Sequence, residues 1–229
     1  MALITGASRG LGAALAVRFA EEGARLVLVA RTPGGLEEID DRVRAAGSEA
    51  TLVPMDLLQG EAIDQLGAAL AERFGRLDVL VGNAGALGVL SPLGHVKPEV
   101  FERQLALHAT GSYRLIRSLD PLLRASEAGR AMFVTCAQAR EPKPFWGAYA
   151  ASKAALESLV LCYAAEVQRT PLRVNLVDPG PLRTRLRARA YPGEDPKTAP
   201  APEEVTEPFV ALAEAACTTH GQIIRAQDA

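Results

Sequence analysis

The sequence predicts an α/β protein built on one doubly wound parallel sheet of about seven strands, with helices on both faces. Three observations lead there. Short unbroken runs of Val, Leu, Ile and Ala recur along the chain, as expected of strands covered on both sides. Longer amphipathic segments alternate with them, so each strand is followed by a crossover helix. The chain has 229 residues, 48% of them hydrophobic, which suits a single domain over residues 1–229 with a full core and no need of staples.

The strand candidates in order are ALIT (2–5), ARLVLVA (24–30), ATLVPM (50–55), LDVLVG (77–82), AMFVT (131–135), LRVNLV (172–177) and QIIRA (222–226). Helical segments fill the intervals at 10–22, 33–46, 60–74, 97–119, 147–169 and 203–216. Right-handed crossovers place the ligand crevice at the carboxyl ends of the strands. One segment breaks the rhythm. ARAYPGEDPKTAPAPEE (188–204) carries four prolines and is neither helix nor strand throughout. It falls where a substrate lid over the crevice would sit, and a plain surface excursion is the alternative.

The formal net charge of −2 provides no electrostatic footprint for nucleic acid or an anionic membrane. Arginines cluster in LRTRLRARA (182–190), a run short enough to be a solvated face or to serve one anionic ligand. Cys136, Cys162 and Cys217 are odd in number and widely spaced, without C-x-x-C or His partnering. The expectation is therefore no disulfide framework, no metal site and a reducing cytoplasm. No apolar run approaches the roughly 18 residues of a membrane span, and the first residues lack a secretory leader's pattern.

The first strand runs into TGASRGLG, and a helix follows at once. Gly6, Gly10 and Gly12 permit a tight turn, close approach of backbone to a ligand, and close packing of helix on sheet. The helix start then offers free N–H groups and a positive dipole end to a pyrophosphate. In the first βα turn of a parallel sheet this spacing points to a dinucleotide. The second strand ends in Ala30 and Arg31, with no carboxylate for a ribose 2′-hydroxyl. Arg9 lies within the turn, in reach of the same ribose. Two guanidiniums and no acid suit a 2′-phosphate, so NADP(H) is expected over NAD(H). Tyr149 and Lys153 stand four apart in AYAASKAAL, one turn apart on one helix face.

With the glycine turn, GNAG (82–85), YAASK (149–153) and PGPLRT (179–184) in this order, the whole chain resembles the classical short-chain dehydrogenase/reductase family. The resemblance implies a Rossmann fold and hydride transfer between a nicotinamide and a carbonyl/alcohol pair. It implies that Gly6, Ser8, Arg9, Gly10, Leu11 and Gly12 contact the cofactor, that Arg31 favours NADP, and that Asp56 bonds the adenine with Leu57 beside it. Asn83, Ala84 and Gly85 would line the cofactor and brace the central strand. Pro179, Gly180, Leu182 and Thr184 would bracket the carboxamide. Lys153 would hold the ribose and lower the pKa of Tyr149, the general acid/base. A dimer or tetramer of copies through the two long helices is expected, and the apolar composition of 147–169 agrees.

Two positions depart from the family pattern. Cys136 stands where a substrate-binding serine is usual, and its thiol is a weak donor. Thr135 and Gln138 are candidates to replace it. His108 stands where an asparagine usually anchors a water, and it either does the same or is a core histidine with its polar atoms satisfied. Gly111 would let that helix distort. The expectation is an NADP(H)-dependent oxidoreductase with a variant site of Tyr149, Lys153, Cys136 and His108. The alternatives are a catalytically weak NADP(H)-binding regulatory or scaffold protein and a redox-sensitive thiol at Cys136. Apolar residues in ALGVLSPLG (86–94) favour an apolar substrate.

Overall fold

All seven expected strands form, within two residues of their expected limits, in a computed structural model that describes residues 1–228. They are β1 (Ala2–Thr5), β2 (Leu26–Ala30), β3 (Ala50–Pro54), β4 (Val79–Gly82), β5 (Arg130–Val134), β6 (Arg173–Asp178) and β7 (Ile223–Arg225). Every pairing is parallel, in the order β3-β2-β1-β4-β5-β6-β7. The order reverses between β1 and β4, so a crevice opens beyond Thr5 and Gly82.

The apolar runs are continuous because both faces of the sheet are covered. Ile4 and Leu28 point to one side, with Leu15 and Phe19 of α1 (Gly10–Glu21), Leu36 of α2 (Pro33–Ala45) and Phe209. Leu3, Val27 and Leu80 point to the other, with Ile63 of α3 (Gly60–Phe74) and Leu156. The edge strands β3 and β7 are the least buried, with no fully buried residue in either.

The expected helix at 97–119 is two helices joined by a wide turn. α4 (Pro98–Leu105) passes into a π-helical turn at Ala106–Thr110, and α5 (Gly111–Arg124) continues through Pro121. The wide turn carries His108 inward, and such insertions accompany functional residues. α6 (Gly147–Val167) is the long helix expected from the alanine-rich segment.

The proline-rich stretch is more ordered than its composition suggests. α7 (Arg185–Ala190) starts at Thr184, whose hydroxyl accepts the Arg187 N–H at 3.3 Å. Short 3₁₀ turns at Pro196–Thr198 and Pro202–Val205 follow, and α8 (Glu207–Ala213) is shorter than the expected 203–216. No helix among the described residues is long and apolar enough to cross a membrane.

Candidate active site

The glycine turn is built for close approach. Gly6 and Gly10 have φ of +67° and +54°, a region that side chains rarely adopt. A Cβ on Gly12 would lie 2.3 Å from the Gly6 carbonyl oxygen, so α1 seats on the turn only with glycine there. Asn83 Nδ2 donates to the Thr5 carbonyl at 2.8 Å, and Thr5 Oγ1 accepts from the N–H groups of Asn83 and Ala84, each at 3.0 Å. Thr5 therefore locks the turn after β4 to the turn after β1. The first turn of α1 has neither a side-chain cap nor an acidic residue, which leaves its N–H groups for an anion. This cradle fits a dinucleotide.

The arginines expected at one ribose face two openings. Arg31, 65% exposed, lines a cavity of about 500 Å³ with Asp56, Ala86 and Gln104, and stands 4.0 Å from the Asp56 carboxylate. Arg9 lines another, of about 420 Å³, with Ser8, Arg42 and Arg183. Ser8, next to Arg9, abuts Gly35 in the first turn of α2. Asp56 Oδ1 accepts the Leu58 N–H at 3.1 Å, while Leu57 and Leu11 are core residues. Thr184 lies over Gly10. The Pro179–Gly180 turn is held by Asp178, which accepts the Gly180 N–H at 3.1 Å, and by Gln227, which donates to the carbonyls of Pro179 and Pro181.

Tyr149, Lys153, Cys136 and His108 come together from three elements. Tyr149 and Lys153 are buried one turn apart on α6. Lys153 Nζ donates to the Val134 carbonyl at 2.8 Å. The His108 ring meets Tyr149 edge-on at 5.4 Å between centroids. Its Nε2 accepts the Ala86 N–H at 3.1 Å, so Nδ1 carries the proton and donates to Ser152 Oγ at 2.8 Å. Ser152 in turn donates to the Tyr149 carbonyl at 2.7 Å. His108 is thus the core histidine with satisfied ring atoms, and it also ties the GNAG segment to the start of α6. A Cβ on Gly85 would lie 3.2 Å from His108 Nε2 and 3.7 Å from Lys153 Nζ, which keeps that segment against the site.

The electrostatics reverse one expectation. Burial pushes the Tyr149 phenol well above its ordinary value near 10, and Cys136 and Asp178 act in the same direction. Burial lowers Lys153, against the pull of Cys136, Glu157 and Asp178. The expected lowering of Tyr149 by Lys153 is absent here: burial sets the direction, and Lys153 Nζ serves the Val134 carbonyl. His108 is held neutral, well below its ordinary value, by burial and by Lys153. Burial raises the Cys136 thiol, which leaves it a weak acid rather than an activated thiolate.

Sequence reasoning missed a charged knot beneath these residues. Arg140 pairs with Glu157, one turn beyond Lys153, and with Asp178 at 2.7 Å. Thr135 Oγ1 donates to Glu157 at 2.5 Å, so it does not take over the serine's role. The knot joins the loop after β5, helix α6 and the end of β6. Its members are far apart in sequence and carry no shared motif, so only the fold brings them together.

A scan against family models matches residues 1–195 to the short chain dehydrogenases. The uncharacterized oxidoreductase YciK of Escherichia coli is 35% identical over 206 residues, 89% of this chain and 81% of that one. The chain belongs to the short-chain dehydrogenase family. Its solved relatives include an oxidoreductase, yciK, from E. coli at TM-score 0.94 and 33% identity, covering 99% of this chain and 94% of that one. Another, described as a short chain dehydrogenase from E. coli CFT073 complexed with NADPH, has TM-score 0.94 and 33% identity, with 99% and 95% covered. Membership bears out the doubly wound Rossmann fold and makes the chain an NAD(P)-dependent oxidoreductase.

Proposed function

We propose that this short-chain dehydrogenase uses NADP(H) to interconvert a carbonyl and an alcohol in a small molecule, with Tyr149 as the general acid/base. The observation that carries the reading is a phenol and a lysine buried one turn apart on α6, with Gly85 of the segment that braces the glycine turn packed against the lysine. The turn Gly6–Gly12, Asn83, Ala84, Gly85 and the 179–184 segment would hold the cofactor, and Arg9 and Arg31 its 2′-phosphate. Relatives complexed with NADP and NADPH support that preference.

When bound, the nicotinamide supplies or accepts the hydride. The chain's part is the proton. Tyr149 Oη donates it to the carbonyl oxygen as negative charge develops there, and takes it back in the alcohol direction. Lys153 gives one N–H to Val134, leaving two for the ribose and the phenolate formed after transfer. His108 and Ser152 hold the start of α6 and thereby position Tyr149. Cys136 packs against Tyr149 and contributes a poor donor toward the developing oxyanion.

Three further features belong to this reading. Segment 188–204 serves as the substrate lid. Exposed Tyr113, Leu159 and Leu161 on α5 and α6 suit an assembly of copies. The three unpaired cysteines suit a reducing compartment, the cytoplasm. The test is NADPH oxidation over a panel of aldehydes and ketones. Tyr149→Phe is expected to abolish turnover while leaving NADPH binding intact, and turnover that survives the change overturns the assignment.

A further inference from the structure

An apolar track leads away from Tyr149. Trp146 meets the Tyr149 ring at 5.7 Å between centroids, and Tyr191, at the end of α7, lies over Trp146 at 5.9 Å. Leu87, Leu90 and Leu186 pack into the same cluster. The one charged group stacked on this cluster, Arg187, lies 3.8 Å over the outer face of Tyr191 and is neutralised by two hydrogen bonds to Glu194, at 2.6 and 2.5 Å. The cluster thus offers apolar surface around Tyr149, and Arg189 donates to the Gly88 carbonyl, next to Leu87, at 3.3 Å.

Beyond Trp146 two apolar side chains reach the surface. Leu93 lies against Gly147 and is 65% exposed, and Phe145 is 57% exposed. Phe145 is the one non-glycine among the described residues with positive φ, at +73°. A bulky side chain rarely adopts that conformation, and such strain gathers at binding sites. Here it is held by the Ser91 N–H, which donates to the Phe145 carbonyl at 3.0 Å and ties the loop after β4 to the start of α6. The strained peptide leaves the Phe145 side chain largely in solvent, next in sequence to Trp146 of the cluster on Tyr149.

We propose that the substrate carries an extended apolar chain on its carbonyl carbon, and that this chain runs between Trp146 and Tyr191 and leaves over Leu93 and Phe145. The proposal rests on Tyr149 being the proton donor. It makes Tyr191 a gate that moves aside for the chain, and Phe145 and Leu93 the residues that read its length.

Straight-chain aldehydes from butanal to dodecanal test it with the NADPH-loaded protein. kcat/KM is expected to rise about fourfold for each methylene that becomes buried. Trp146 is the only tryptophan, so its fluorescence reports the site directly. The matching primary alcohols should alter its emission, with the same gain in affinity per methylene. Phe145→Asn combined with Leu93→Ser should flatten the dependence for the longer members, since asparagine tolerates this φ. Butanal turnover with no chain-length dependence overturns the proposal and spares the assignment of Tyr149. Alcohol affinities that tighten with length, with no aldehyde reduced, support the apolar track and overturn the catalytic assignment. A double variant that loses an oligomeric state by light scattering, yet keeps wild-type chain-length dependence, makes the rim an interface between copies and overturns the proposal.

Discussion

Acidification tests the neutral His108 without any substrate in hand. The ring is buried, accepts from the Ala86 N–H, donates to Ser152, and faces the Lys153 ammonium and the edge of Tyr149. Its native pKa is therefore depressed, while the unfolded chain binds a proton near pH 6.5. Between those two values the unfolded state holds the extra proton, so the stability contributed by His108 is present above about pH 6.5 and is lost as pH falls below it. The loss approaches about 1.4 kcal/mol per pH unit, or about 3–6 °C of melting temperature in a chain of this size. Asp78 is held low by its hydrogen bonds and contributes in the same direction only at more acid pH. Urea midpoints and melting temperatures at pH 7.5, 6.5 and 5.5 (values chosen about the histidine range) would be compared between wild type and His108→Asn. Asparagine can accept from Ala86 and donate to Ser152 without titrating. Wild type is expected to lose stability on acidification and His108→Asn to lose much less. Parallel curves would refute the buried neutral imidazole.

Three other changes probe separate parts of the site. Cys136→Ser puts a good donor against Tyr149, and kcat is expected to rise by up to about 10²-fold with KM little changed, whereas a fall would mean that the site is adapted to the thiol. Arg140→Gln removes the guanidinium shared by Glu157 and Asp178, which keep only neutral donors, Thr135 and the Gly180 N–H. With Arg140 partly exposed, the expected loss is about 3 kcal/mol, read as a drop of about 6–12 °C in melting temperature, and an unchanged melting curve would remove the knot from the stability account. Arg31→Ala removes a charge-assisted contact to the 2′-phosphate. NADPH affinity is expected to fall about 10-fold or more with NADH affinity unchanged, and equal losses for both would refute the role of Arg31.

Much of the site was legible because its parts are local in sequence. The glycine spacing of Gly6, Gly10 and Gly12 needs only one turn to be read, and Tyr149 and Lys153 only one helical turn. The departures at Cys136 and His108 were visible for the same reason, but their consequences were not. Whether His108 would hold water or be a satisfied core residue depended on the Ala86 N–H, twenty-two residues away, and on Ser152, forty-four away. The direction of the Tyr149 shift depended on how completely α6 is buried, which spacing does not carry. The local distortion expected at Gly111 takes the form of a π-turn at Ala106–Thr110, a form that the sequence pattern did not specify.

The sequence alone determined the parallel sheet, the cradle and the Tyr149–Lys153 pair, since hydrophobic runs, glycine spacing and helical period are short-range properties of the chain. Tertiary structure alone decided which way the site is poised. Arg140, Glu157 and Asp178 meet beneath Lys153, Tyr191 closes over Trp146, and burial keeps the Tyr149 proton in place. Each of these depends on removing groups from water and on pairing segments distant in the chain, and both happen only when the sheet and its helices come together.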